Sequence, residues 1–251
     1  MKPNPSHAIL HERILSHTAL LIEKGSRSNG SGVLVKIADK IFVLTAAHVI
    51  DQDNFTVNLG LEEQQTPFSI VHQWEEKDLD LGYIELKPFE VEMLRADFIT
   101  PYRLTPPRVL DIPPRQINLE ICGFPTMLTQ KRGASVNYQP AFITSSLLDQ
   151  SEWPPFVAER KDPEYNFVLL YGEKQIGQFR DFQGNRIGAI HPHGLSGCGI
   201  WYVDTTKSQD PTYRLIGIQH SFFATHHLVA GTYVAPLIER IIHHYGLKLE
   251  E

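Results

Sequence analysis

Apolar residues along this chain come in short runs separated by polar or turn-forming residues, and helical spacing holds in only two stretches. Residues 33–37 (Val-Leu-Val-Lys-Ile) and 40–45 (Lys-Ile-Phe-Val-Leu-Thr) flank Ala38-Asp39, the pattern of a hairpin. Further runs rich in Val, Ile, Phe, Thr and Tyr predict strands at 55–59, 68–71, 81–86, 117–121, 142–147, 166–171, 200–203, 215–220 and 231–234. Within residues 6–16, Ile9, Leu10, Ile14 and Leu15 recur on one helical face. Within residues 236–245, Leu237, Ile238, Ile241 and Ile242 form a stripe, with Pro236 at its start and Gly246 just past its end. Many short strands with a helix at each end predict an all-β sandwich or barrel rather than a parallel sheet.

Two Pro-Pro pairs, Pro106-Pro107 and Pro113-Pro114, disfavour helix and mark the natural boundary. The expected organisation is an N-terminal helical extension (1–17), a first β-barrel (18–105), a linker (106–114), and a second β-barrel with the C-terminal helix (115–251). Residues 149–163, with Trp153-Pro154-Pro155, read as a surface insertion packed on the second barrel.

Composition narrows the function classes. The 23 basic and 29 acidic residues leave a net charge of −6, without the basic excess of a nucleic-acid binder. No apolar run approaches the ~18 residues of a membrane span, and no secretory leader is readable at the N-terminus. Only Cys122 and Cys198 occur, without a C-x-x-C pair, which suits a reducing compartment; a cytoplasmic protein is expected. The close histidine pairs (His191 and His193, His226-His227, His243-His244) lack metal-site spacing, so no metal and no cofactor are expected.

Three segments carry chemistry through their order. The first is Gly30-Ser31-Gly32 followed by Thr45-Ala46-Ala47-His48; the second is Asp80-Leu81-Gly82-Tyr83-Ile84-Glu85-Leu86; the third is His193-Gly194-Leu195-Ser196-Gly197-Cys198-Gly199. Together they resemble the trypsin-like (chymotrypsin-fold) serine proteases, in particular compact bacterial members. The order His, Asp, Ser separates that family from subtilisins and α/β-hydrolases. Weaker similarities lie in Ile121-Cys122-Gly123-Phe124-Pro125, in Leu215-Ile216-Gly217-Ile218-Gln219-His220-Ser221, and in Gly231-Thr232-Tyr233-Val234, so the likeness spans about residues 18–245.

The resemblance implies a chymotrypsin-like double β-barrel, two six-stranded barrels with the active site in the cleft between them. It implies Ser196 as nucleophile, His48 as general base and Asp80 as its orienting acid, with the N–H groups of Gly194 and Ser196 as oxyanion hole. Asp78, two residues before Asp80, would share its face in a strand. The S1 wall would be drawn from Ile190, Gln219, His220, Ser221 and Gly231, and His220 there suggests a polar or acidic P1 residue. Leu195 stands where extracellular members carry the acidic residue that pairs with a cleaved N-terminus, so activation by that ion pair is not expected. Cys198 replaces a customary glycine. The expectation is a serine endopeptidase acting on a protein or peptide, of narrow specificity or gated by a regulatory protein partner, with no nucleic acid and no membrane involved. The alternative is a catalytically silent pseudoprotease that binds a peptide or partner.

Overall fold

The computed structural model describes residues 5–23, 29–51, 55–59, 70–88, 102–103, 118–128, 130–132, 135–171, 179–181, 185, 187–188, 190–204 and 212–248. The proposed linker, 106–114, lies outside the described residues.

Helix α1 (Pro5–Ser16) leads into β1 (Thr18–Glu23), β2 (Asn29–Ile37), β3 (Lys40–Thr45), the short α2 (Ala47–Ile50), β4 (Phe55–Leu59), β5 (Ile70–Glu76), β6 (Leu81–Leu86) and β7 (Tyr102–Arg103). These strands make one sheet of order β4-β1-β2-β3-β6-β5, with β7 added in parallel to β2. The second half holds β8 (Asn118–Gly123), β9 (Gln130–Arg132), β10 (Ser135–Asn137), β11 (Ala141–Ser146), α3 (Pro155–Ala158), β12 (Asn166–Leu170), β13 (Phe179–Asp181), β14 (Gly199–Asp204), β15 (Thr212–Phe223), β16 (Leu228–Tyr233) and α4 (Ala235–Tyr245). Its sheet runs β12-β16-β15-β14-β8-β11-β13, and β9 and β10 pair separately. A bridge between Leu147 and Leu169, with the Leu148 N–H donating to the Val168 carbonyl at 2.8 Å, joins β11 to β12 and closes a ring of six strands.

The all-β double barrel expected from the sequence is therefore the observed fold, with one difference in strand count. Among the described residues each main sheet has seven strands, because a two- or three-residue strand, β7 or β13, sits on the side of the predicted six. The predicted hairpin forms with Ala38 in the left-handed region (φ 53°). Strand β1 was not predicted: Thr-Ala-Leu-Leu-Ile-Glu has no alternation, since Ala19, Leu20 and Leu21 are all buried between β2 and β4.

Each barrel has its own apolar interior, one built around Leu34, Val43, Val57 and Ile84, the other around Ile121, Ile143, Phe167 and Leu195. A third cluster is shared: Leu10 and Ile14 of α1 and Leu237, Ile238 and Ile241 of α4 pack with Phe42, Tyr83, Phe142 and Trp201 from both sheets. Both terminal helices thus join the two barrels into one core.

Candidate active site

His48 is delivered by the four-residue α2, which begins as β3 ends at Thr45. Its ring Nδ1 stands 3.0 and 2.9 Å from the two carboxylate oxygens of Asp80, and its backbone N–H donates to Asp80 Oδ1 at 3.1 Å. An ionised carboxylate only accepts, so Nδ1 carries the proton and Nε2 presents its lone pair. Asp80 is not in a strand. It ends the turn between β5 and β6 with φ 51°, a conformation that Asp tolerates better than most residues, and its N–H donates to the Lys77 carbonyl. That placement separates it from Asp78, an exposed turn residue. Burial would raise the Asp80 pKa, but the His48 ring and backbone bonds bring it below the usual carboxylate value.

Ser196 sits in the turn that precedes β14, and the backbone of that turn is almost fully engaged. The Leu195 N–H donates to Pro192 (2.9 Å), Gly197 to Gln219 (2.7 Å) and Cys198 to Leu195 (2.8 Å). The N–H groups on either side of Leu195, of Gly194 and Ser196, find no acceptor among the described residues. The His193 carbonyl accepts from the Thr126 N–H at 2.8 Å. A trans peptide points its N–H opposite to its carbonyl, so the Gly194 N–H faces away from Thr126. Gly194 has φ 92°, and a Cβ there would come 2.6 Å from the Phe124 carbonyl; glycine is required.

Ser31, on β2 of the first barrel, fastens this turn of the second. Its N–H donates to the Ser196 carbonyl (2.8 Å), its Oγ donates to the Gly194 carbonyl (2.9 Å), and the same Oγ accepts from the Phe124 N–H (3.0 Å). Thr45 Oγ1 in turn donates to the Ser31 carbonyl at 2.8 Å. Beside it, a Cβ on Gly30 would lie 2.6 Å from Val49, the neighbour of His48, and 3.3 Å from the Ser196 carbonyl. The Ser196 turn and the His48 helix therefore meet at Gly30. In the sequence alone the serine of the Gly-Ser-Gly run has no evident role; only the pairing of β2 against a distant turn reveals one.

The predicted pocket residues lie partly in the second barrel's interior and partly on β15 and β16. Ile190 is buried in the second barrel's interior, its carbonyl accepting from Tyr171 Oη at 2.7 Å. Gln219 pairs with Gly231 across β15 and β16, and both are buried. A bulge follows: Gln219 opposes Gly231 and Ser221 opposes Ala230, leaving His220 as the extra residue. The bulge turns the His220 side chain inward, where it is wholly buried with Nδ1 2.7 Å from Ser221 Oγ and 3.9 Å from Asp80 Oδ2. Burial foremost, and the cation of Lys161 next, push His220 down to about 3, so it is neutral beside Asp80. Ser221 stays half-buried.

Both cysteines are free and buried; Cys122 Sγ accepts from Thr18 Oγ1 at 3.4 Å. Among the described residues, no group of three His, Cys, Asp or Glu gathers to hold a metal, and no helix is long and apolar enough to cross a membrane. No protein-family model matches the chain, and comparison with curated proteins finds no match.

Proposed function

We propose that this chain is a serine endopeptidase that cleaves peptide bonds through Ser196, His48 and Asp80 by way of an acyl-enzyme. The observation that carries the reading is the His48–Asp80 pair: a doubly engaged carboxylate fixes the ring with Nε2 open, beside a turn whose two unengaged N–H groups belong to Gly194 and Ser196. In this scheme Ser196 Oγ attacks the peptide carbonyl carbon and gives its proton to His48 Nε2. The carbonyl oxygen becomes an oxyanion held by the Gly194 and Ser196 N–H groups, each such donor being worth roughly 2.7–4 kcal/mol. Collapse expels the amine, which takes the proton from His48; water, deprotonated by His48, then releases the acid and restores Ser196.

The same reading includes a cytoplasmic setting, a protein or peptide substrate and narrow specificity. Leu195 is buried in the second barrel's interior, which leaves no place for an N-terminal ion pair as the activating device.

A fluorophosphonate probe tests the proposal. Wild-type protein should be labelled and Ser196→Ala should not. Folded wild-type protein that resists labelling would favour the pseudoprotease reading.

A further inference from the structure

Lys161 brings an ammonium group to the back of the His48–Asp80 pair. It follows α3, its backbone N–H donating to the Val157 carbonyl at 2.9 Å. Trp153 and Val157 pack on Val168, Leu228 and Ala230, so the insertion that carries Lys161 is fixed to the barrel. Lys161 Nζ lies 3.5 Å from His220 Nδ1, which is itself 3.9 Å from Asp80 Oδ2. The charged and titratable groups around it are thus His220, neutral by burial, and Asp80, already held by His48.

Among the described residues, no carboxylate lies within ion-pair distance of Lys161 Nζ. The group is half-buried, and loss of water pushes its pKa down against the pull of Asp80. A cation that has given up part of its hydration without gaining a counter-ion is costly, and an incoming anion would offset that cost.

The adjoining backbone indicates which anion. On its β14 side, β15 is paired as far as Ile218 with Gly199, and Gln219 is held by Cys198 and Gly197. From His220 to Phe223 that edge has no strand partner among the described residues, while the other edge remains paired with β16. An extended peptide can add to such an edge. β15 runs outward from the Ser196 turn, so an antiparallel peptide would run inward over Phe223 and Ser221 and bring its scissile carbonyl to Ser196. The residues passing Lys161 are then those on the N-terminal side of the cleaved bond.

Resting on the proposed endopeptidase reading, we propose that Lys161 is a specificity-determining residue that pairs with a carboxylate side chain of the substrate, within the three residues preceding the scissile bond. This assigns acid recognition to Lys161 in place of His220, which is sealed against Asp80.

Peptidyl diphenyl phosphonates test this, because they modify a serine nucleophile without needing turnover. Each of the three positions before the phosphonate is set in turn to Asp, Asn, Glu or Gln. At one position the acid should react about tenfold or more faster than its amide, as a charge-assisted hydrogen bond predicts. Lys161→Met should abolish that ratio while leaving the rates of the amide members within a few-fold, Lys161→Arg should retain it, and Lys161→Glu should invert it. If Lys161→Met slows acid and amide members equally, Lys161 serves only to support Asp80 and the subsite is overturned. Fluorophosphonate labelling without any acid preference would also overturn the subsite while leaving the endopeptidase reading intact. Absence of labelling by either reagent would remove both.

Discussion

Ser31 Oγ donates to the Gly194 carbonyl at 2.9 Å, a bond that ties a strand of the first barrel to the nucleophile turn of the second. With the Phe124 N–H donating to the same oxygen and the Ser31 N–H donating to Ser196, one small side chain and its own peptide order a turn that has no ion pair behind Leu195. Ser31→Ala would orphan the Phe124 N–H and the Gly194 carbonyl, each at about 1–3 kcal/mol. The expected outcome is a drop in fluorophosphonate labelling rate of at least about tenfold with the fold retained. A labelling rate equal to wild type would show that the turn is ordered without this clamp.

The carboxylate of Asp80 accepts from both the ring and the backbone N–H of His48. Asp80→Asn preserves the shape but offers an N–H to Nδ1, favouring the tautomer whose Nε2 cannot accept the Ser196 proton. The expected loss is about ten-thousandfold in labelling rate, with thermal stability little changed. A loss of less than about tenfold would mean that His48 does not depend on Asp80 for its orientation.

The elements legible in the sequence were those whose cause is local. The stripe of Leu237, Ile238 and Ile241 and the hairpin at Ala38-Asp39 follow from periodicity and turn length, and both stand as expected. The order of the His48, Asp80 and Ser196 segments pointed to one family, and the side chains of the first two meet. What escaped was set by partners far away in the chain. β1 is buried on both faces and so lacks a strand period. His220 faces Asp80 only because a bulge shifts the register of β15, and no alternation rule could have reversed its direction. Lys161 depends on an insertion anchored through Trp153, and Ser31 depends on a contact 163 residues away with Gly194.

Gly197 adopts φ 87°, and a Cβ on it would lie 2.0 Å from Thr45 Oγ1 and 2.1 Å from the Ser31 carbonyl. The carbonyl belongs to a paired strand and cannot move aside. Gly197→Ala is expected to cost about 2–6 kcal/mol from strain and overlap together. Gly188→Ala, where nothing lies within 4 Å, should stay within about 0.5 kcal/mol of wild type. Urea unfolding of the two variants checks both, and a Gly197→Ala protein as stable as Gly188→Ala would contradict the packing of this turn.

Glu120 gives a pH dependence that is independent of the candidate site. It is buried on β8, with Thr144 Oγ1 donating to Oε1 at 2.7 Å and His11 Nε2 of α1 3.9 Å from Oε2, the His11 ring stacked on Phe142. Burial raises its pKa to about 7, against the Thr144 bond and the Arg180 charge. The folded protein therefore holds this proton more tightly than the unfolded chain, whose glutamate titrates near 4.3. The resulting stability is complete below about pH 4.3 and is lost as pH rises through 7. Glu120→Gln keeps an acceptor for Thr144 and removes the charge. It should raise unfolding free energy at pH 8 by an amount on the order of 3 kcal/mol, a gain that shrinks toward zero near pH 4.5. Thermal unfolding across that range reads the difference; a gain that is the same at pH 4.5 and 8 would show that Glu120 is not protonated on folding.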